Sequence, residues 1–280
     1  MFIEQTLLIG MFVVLIAFIA EYVDSTLGMG YGTTLTPVLL LMGYEPMQVV
    51  PAILLSELLT GILAGLAHHK AGNVNFRPKL NNGGTVLQNF KSLGYIGTLR
   101  QAFPRHLKTA LLIASCSILG TLAAVLLAVS INRFYIKLYI GIMVLLIGVV
   151  ILLSRKKEHK FSWKRVTALG LVASFNKGMS GGGYGPVVTG GQILAGVDGK
   201  NAIGITSLAE GLTCIVGFGA YFCTMSIRDW TLFPFLCVGA VLSVPLSAYT
   251  VKQINTRKLR VIIGIITVFL GAFTLSKVLL

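Results

Sequence analysis

The sequence predicts an all-α polytopic membrane protein built from two inverted-topology repeats, each of about five helical elements, with broken or half-spanning helices at Gly-rich motifs. Three observations predict it. Of 280 residues, 55% are hydrophobic and only 11% are charged, against the roughly 25% charge that covers a soluble globular surface. Apolar runs close to or above the roughly 18 residues that mark a bilayer-spanning helix recur along the chain. Finally, Gly28-Met29-Gly30-Tyr31-Gly32 returns as Gly181-Gly182-Gly183-Tyr184-Gly185, displaced by 153 residues.

The elements follow in chain order. The first apolar run, residues 6–20, is preceded by Glu4 without Lys or Arg. It leads into Glu21 and Asp24 with no small-residue cleavage site, so it reads as a retained span and not as a signal peptide. After the first Gly-rich motif, residues 33–42 reach only roughly 15 Å as a helix, half of a hydrocarbon core of roughly 30 Å. Residues 47–67 form a full span that ends at His68, His69 and Lys70, where a snorkelling, wetted role is expected for the histidines. A basic insert, about residues 76–107, precedes the spans at 110–130 and 134–153. The second half repeats the order: a helix before the motif, a half-span at 186–195, a third helix over 199–222, and spans at 233–250 and 261–280. Residues 1–154 and 155–280 are thus the two transmembrane repeats.

The shift of 153 residues also places Thr36 on Thr189, Gly43 on Gly196, Glu57 on Glu210 and Thr60 on Thr213. One Gly-rich match means little in a membrane protein, but matches held at a constant offset mark a tandem repeat. The basic residues fix the orientation. They gather between spans, from Lys70 to Lys108, from Arg155 to Arg165, and from Lys252 to Arg260. By the positive-inside rule these loops face the cytoplasm and both termini lie outside, in a multi-pass protein of the inner (plasma) membrane. Residues 46–68 then run inward and their counterparts 199–222 run outward, which inverts one half relative to the other. A net charge of +14 therefore needs no nucleic-acid partner, and the partner it implies is the lipid bilayer. Cys116, Cys214, Cys223 and Cys237 show neither C-x-x-C pairing nor metal-ligand spacing, and read as small packing residues. No metal or other cofactor is implied, and no nucleotide-binding motif is present. No helix-dimerisation pattern stands apart from the Gly-rich motifs, which leaves a homo-oligomer open.

The site residues come from the repeats. In each, Gly28, Gly30, Gly32 or Gly181, Gly183, Gly185 lie at depth just ahead of a half-helix. Irregular backbone is tolerated there only where it is buried in protein or lines a cavity. The free amides and positive dipole end of the following helix favour an anion. Tyr31 and Tyr184 offer hydroxyls beside the break, with interfacial packing as the plainer alternative. Glu57 and Glu210 lie within the third helix of each half and are candidate carriers of a coupling proton or sodium ion, or else structural hydrogen-bond partners. Asp24 and Lys177 are equivalent in position and opposite in charge. Either they neutralise each other across the pseudo-twofold axis, or Lys177 holds an oxyanion with the glycine amides and Asp24 takes part in its release.

The D-x-x-x-G-x-G-Y-G of Asp24 to Gly32, the P-x-L-L-L-x-G of Pro37 to Gly43, Ser56-Glu57, the G-x-V-x-F of Gly72 to Phe76 and the G-G-G-Y-G-P of Gly181 to Pro186 resemble the TauE/SafE sulfite exporter family, also called toluene sulfonate uptake permeases. The resemblance covers nearly the whole chain except the basic insert. It implies an all-helical permease for a small sulfur-containing anion such as sulfite, thiosulfate or an organosulfonate, and no enzyme. A channel, or a membrane-embedded maturation factor that transports nothing, are the other classes in view. A channel leaves Glu57 and Glu210 without a coupling duty, and a maturation factor calls for a metal or thiol constellation absent from the sequence.

Overall fold

The protein is described as a computed structural model over residues 2–44, 46–78, 97, 102–128, 133–153, 160–180, 184–224 and 230–279. Among these residues no strand occurs, and the long helices are α1 (Phe2–Leu27), α2 (Tyr31–Leu41), α3 (Pro46–Ala71), α4 (Arg105–Ala128), α5 (Arg133–Leu153), α6 (Trp163–Ser180), α7 (Tyr184–Leu194), α8 (Gly199–Thr224), α9 (Leu232–Gln253) and α10 (Thr256–Leu279). The order of lengths repeats: α2 and α7 have 11 residues each, α3 and α8 have 26 each. At roughly 1.5 Å per residue a helix of 26 is long enough to cross a bilayer and one of 11 is not. Leu8–Leu27, Gln48–Ala71, Gly199–Gly219 and Leu232–Gln253 supply the four described helices that are long and apolar enough to span by length and composition.

Burial is inverted relative to a water-soluble protein. Large apolar side chains such as Leu8, Leu119, Leu153 and Phe269 face outward, whereas Glu21, Ser56, Thr60, Glu57, Lys177 and Glu210 are buried. Lipid tails are as apolar as leucine, so exposed aliphatics cost nothing there, while polar groups gather inside where they satisfy one another.

The two sequence halves interleave. α1 packs along α9 and α4 along α6, so the first helix of each half is covered by the fourth helix of the other. α5 pairs with α10, and α3 crosses α8 at the centre. That central crossing is backbone on backbone: a Cβ on Gly61 would lie 2.7 Å from the amide nitrogen of Gly211, and one on Gly211 would lie 2.9 Å from that of Ile62. Small residues permit such an approach, and it brings the neighbouring Glu57 and Glu210 into one space.

Several contacts gather helix ends at one end of the bundle. Asn73, just past α3, donates to the Ala248 carbonyl near the end of α9 at 2.8 Å, and Lys200 at the start of α8 donates to the Lys252 carbonyl at 2.7 Å. α3 therefore ends where α8 begins. The Ser162 amide bonds the Ala195 carbonyl at 3.1 Å, and Arg165 reaches the Leu194 carbonyl at 3.3 Å. The end of α7 thus lies beside the start of α6, and the two helices pack against each other. Lys70, Arg105, Lys164, Lys200 and Lys252 are all at or near these helix ends.

Two expectations are corrected. The half-helices begin at the motif tyrosines, so Gly32 lies inside the first turn of α2 and Gly185 inside that of α7; the first break is confined to Gly28–Gly30. His68 is not a wetted helix end. It is fully buried, with Nε2 2.9 Å from the Ser25 carbonyl and Nδ1 3.0 Å from the Asn73 amide nitrogen. The break in α1 comes close enough to the end of α3 to sequester it. The repeat boundary at 154, Gly181, Gly183 and most of the 76–107 insert fall outside the described residues.

Candidate functional site

Lys177 stands in the last turn of α6, where a cation meets the negative end of a helix dipole. Its ammonium lies 3.0 Å from Glu57 Oε2 on α3 and 2.6 Å from Glu210 Oε1 on α8. All three side chains are buried, with relative exposures of 8%, 5% and 6%. The Tyr184 ring lies 5.2 Å from the ammonium, within cation–π reach. Cys214 Sγ donates to Glu57 Oε2 at 3.6 Å, so this thiol belongs to the charged centre. The glutamates sit near the middle of 26-residue helices, which puts the centre deep in the bundle. A single buried charge there would be costly, and the triad answers that cost with short, charge-assisted hydrogen bonds.

The first Gly-rich break lies beside this centre. Gly28 has φ 73° and Gly30 has φ 133°, conformations an L side chain rarely adopts. They turn the chain so that Asp24 Oδ1 accepts the Tyr31 amide at the start of α2, at 3.2 Å. A carboxylate of the protein itself thereby occupies the positive end of that half-helix. The Tyr31 hydroxyl pairs with Ser56 Oγ at 2.8 Å. On the other side, the start of α7 packs on the first break: a Cβ at Gly185 would lie 2.5 Å from the Gly28 carbonyl oxygen, and Thr189 Oγ1 sits 2.8 Å from that same oxygen. The start of α7 thus meets the first Gly-rich break.

Tyr184 does not mirror Tyr31. The residue equivalent to Ser56 is Ala209, and the Tyr184 hydroxyl turns instead to Thr213 Oγ1 at 3.2 Å. Thr213 lies 2.6 Å from Ser117 Oγ on α4, which Ser174 on α6 reaches at 3.0 Å.

Of the sequence-predicted residues, Lys177, Glu57, Glu210 and Tyr184 meet at one centre and Asp24, Gly28, Gly30 and Tyr31 form the first break, while Gly181 and Gly183 lie outside the described residues. Asp24 and Lys177 do not neutralise each other: Lys177 takes both glutamates and Asp24 takes a backbone amide. The reason is geometric, because the α3–α8 crossing delivers two carboxylates to the end of α6 while the Gly28–Gly30 turn delivers the Tyr31 amide to Asp24. Glu21 was missed as a site residue. It is 2% exposed and receives Ser25 Oγ at 2.6 Å, with Thr60 Oγ1 at 3.2 Å. Its signal was an acid following an apolar run, three residues before another acid, facing a threonine that the repeat offset had already marked. Cys214 gave no signal of its own beyond lying four residues after Glu210. Among the described residues no three His, Cys, Asp or Glu side chains are grouped to hold a metal.

Comparison with known proteins agrees with this architecture. The sulfite exporter TauE/SafE family matches residues 13–80 and 85–274. A relative in Bacillus subtilis (strain 168), described as probable membrane transporter protein YtnM, is 26% identical over 275 residues, covering 93% of this chain and 80% of the relative. With a buried ionic centre between helices fit to cross a bilayer, and a match over nearly its whole length, the chain belongs to the TauE/SafE sulfite exporter family of membrane transporters.

Proposed function

We propose that the protein is a secondary permease that moves a small sulfur-containing anion, such as sulfite, thiosulfate or an organosulfonate, across the cytoplasmic membrane, coupled to a proton or sodium gradient. One observation carries the reading: the sole lysine of the centre is held by two glutamates that come from the two equivalent helices α3 and α8. In that state its charge is already answered, and an arriving anion meets a centre whose net formal charge is negative. Neutralising one glutamate, by a proton or by a sodium ion, weakens its hold and frees an N–H of Lys177 for an anion oxygen. Anion and cation then enter together, and each raises the affinity for the other by the same factor.

The asymmetry of the breaks supports placing the anion on the Lys177 side. At the first break the dipole end of α2 is occupied by Asp24. At the second, the equivalent position is Lys177, so α7 receives no carboxylate from that position, and the Tyr184 ring at its start lies 5.2 Å from the ammonium. Alternating access follows from reading the halves as inverted repeats, a reading supported by α3 ending at the same end of the bundle where α8 begins. The basic residues at that end favour its assignment to the cytoplasm.

The test is flux into proteoliposomes of labelled sulfite, thiosulfate and a sulfonate, with and without pH and sodium gradients. Saturable uptake of at least one of them, accelerated by one gradient, is expected. Glu57→Gln and Glu210→Gln should abolish gradient-driven uptake while leaving anion exchange. Flux that neither saturates nor responds to a gradient would defeat the carrier reading.

A further inference from the structure

Four carboxyl groups, Glu21, Asp24, Glu57 and Glu210, are buried in the interior around one ammonium, Lys177. Lys177 answers Glu57 and Glu210, and Asp24 has a backbone amide at the positive end of α2. Glu21 has neither. The partners of its two oxygens are hydroxyls, Ser25 Oγ at 2.6 Å and Thr60 Oγ1 at 3.2 Å. A carboxylate removed from water and met only by neutral groups is far costlier than the same group carrying a proton.

The hydrogen count permits it. Thr60 Oγ1 lies 3.2 Å from Glu21 Oε2 and 3.0 Å from the Ser56 carbonyl oxygen, yet a threonine hydroxyl has one hydrogen to give. If that hydrogen goes to the Ser56 carbonyl, which can only accept, the hydrogen between Thr60 and Glu21 comes from the glutamate. Glu21 is then a carboxylic acid that donates to Thr60 and accepts from Ser25.

Its position gives that proton a use. Thr60 follows Glu57 by three residues on α3, so Glu21 lies about one helical turn from the Lys177 centre, toward the basic end of the bundle. Ser25, the residue that donates to Glu21, is held in turn through its carbonyl by buried His68. The other titratable groups around it are Asp24 on its own helix, Tyr31 on α2, Glu57 on α3 and Glu210 on α8.

Building on the transport reading above, we propose that Glu21 is a second proton-carrying acid of the cycle, protonated while Lys177 is held by its two glutamates and exchanging its proton on the basic-end side. In the exchange the carboxyl O–H bond breaks, the proton passes to water entering from that end, and the carboxylate keeps the Ser25 hydroxyl while Thr60 turns its hydrogen toward it. The reverse step takes a proton from a hydronium ion at the same end, re-forming the carboxyl O–H bond and leaving water, and Thr60 turns its hydrogen back to the Ser56 carbonyl.

Two measurements test this. The first is infrared absorption of the purified protein at neutral pH. Wild type should show the C=O stretch of a protonated carboxylic acid that disappears in Glu21→Gln and persists in Glu57→Gln; Thr60→Val, which keeps the acid but removes its acceptor, should shift the band toward that of a free acid. The second compares anion counterflow with uphill uptake driven by a pH gradient. Glu21→Gln should leave counterflow intact and lower uphill uptake by about tenfold or more. Glu21→Asp should restore part of it with an altered pH profile. A band unchanged by Glu21→Gln and by Thr60→Val, or uphill uptake by Glu21→Gln equal to wild type, overturns the proposal. If wild-type vesicles move no sulfur anion at all, it is the transport reading that fails, and the band still reports whether Glu21 carries a proton.

Discussion

The two Gly-rich breaks share a scaffold and differ in charge. Ahead of the first stand Glu21 and Asp24; at the same positions ahead of the second stand Ser174 and Lys177. Each is followed by an 11-residue half-helix that opens on a buried tyrosine. At the first, the half-helix receives its own carboxylate. At the second, the cation that replaces that carboxylate draws the glutamates of both halves to itself. On helices of matching length, the pair of residues that differ, Asp24 and Lys177, makes the centre asymmetric. Under the transport reading, a symmetric centre would offer an anion two equal places, whereas this one offers a lysine on one side and an acid on the other.

The most forceful way to break the comparison is to remove the cation. Lys177→Met leaves Glu57 and Glu210 buried beside each other without an answering charge, and losing one partner of a buried ionic group costs about 3–5 kcal/mol. A large fall in thermal stability in detergent is expected, together with loss of transport. Adding Glu57→Gln and Glu210→Gln should recover most of the stability and none of the transport. If Lys177→Met alone is as stable as wild type, the triad is not an ionic centre.

The next effect concerns the contact between the breaks. Gly28→Ala places a Cβ against the Thr189 hydroxyl at a residue with φ 73°, so clash and backbone strain add. Gly43 has φ 92° with nothing within 4 Å of a Cβ, so Gly43→Ala carries strain alone. About 1–2 kcal/mol is expected for the second and clearly more for the first. Gly185→Ala, with ordinary helical backbone but a Cβ 2.5 Å from the Gly28 carbonyl, should fall with Gly28→Ala. Unfolding midpoints of the three variants order them, and equal losses at Gly28 and Gly43 would show that the breaks do not bear on each other.

These features were unequally legible in the sequence. The half-helices, the long central helices and the burial of Glu57, Glu210 and Lys177 all follow from length, periodic offset and the placing of charge within apolar runs, which are local properties. The pairing of Lys177 with both glutamates was not legible. It depends on the backbone crossing at Gly61 and Gly211, two glycines that are not equivalent under the 153-residue shift and so carried no repeat signal. The burial of His68 escaped for the same kind of reason, since its partner is a backbone carbonyl 43 residues away that only the broken end of α1 presents. Nor could Glu21 be told from Asp24 by sequence, because what separates them is a single backbone amide.

The smallest effect separates the two tyrosines. Tyr31→Phe removes the hydroxyl that pairs with Ser56 Oγ, a fully buried atom. Stranding a buried hydroxyl costs about 1–3 kcal/mol. Tyr184→Phe removes a partner from Thr213, which keeps the Ala209 carbonyl at 2.7 Å and Ser117 at 2.6 Å. It also keeps the aromatic face beside the Lys177 ammonium, so its stability should fall by less, within about 1 kcal/mol. Denaturation midpoints would reveal the order. Transport kinetics then divide the roles: if the Tyr184 hydroxyl binds the anion, Tyr184→Phe raises KM while Tyr31→Phe does not. If KM is unmoved by either, both hydroxyls only hold helices together, and recognition of the anion falls to Lys177 and the backbone at the start of α7.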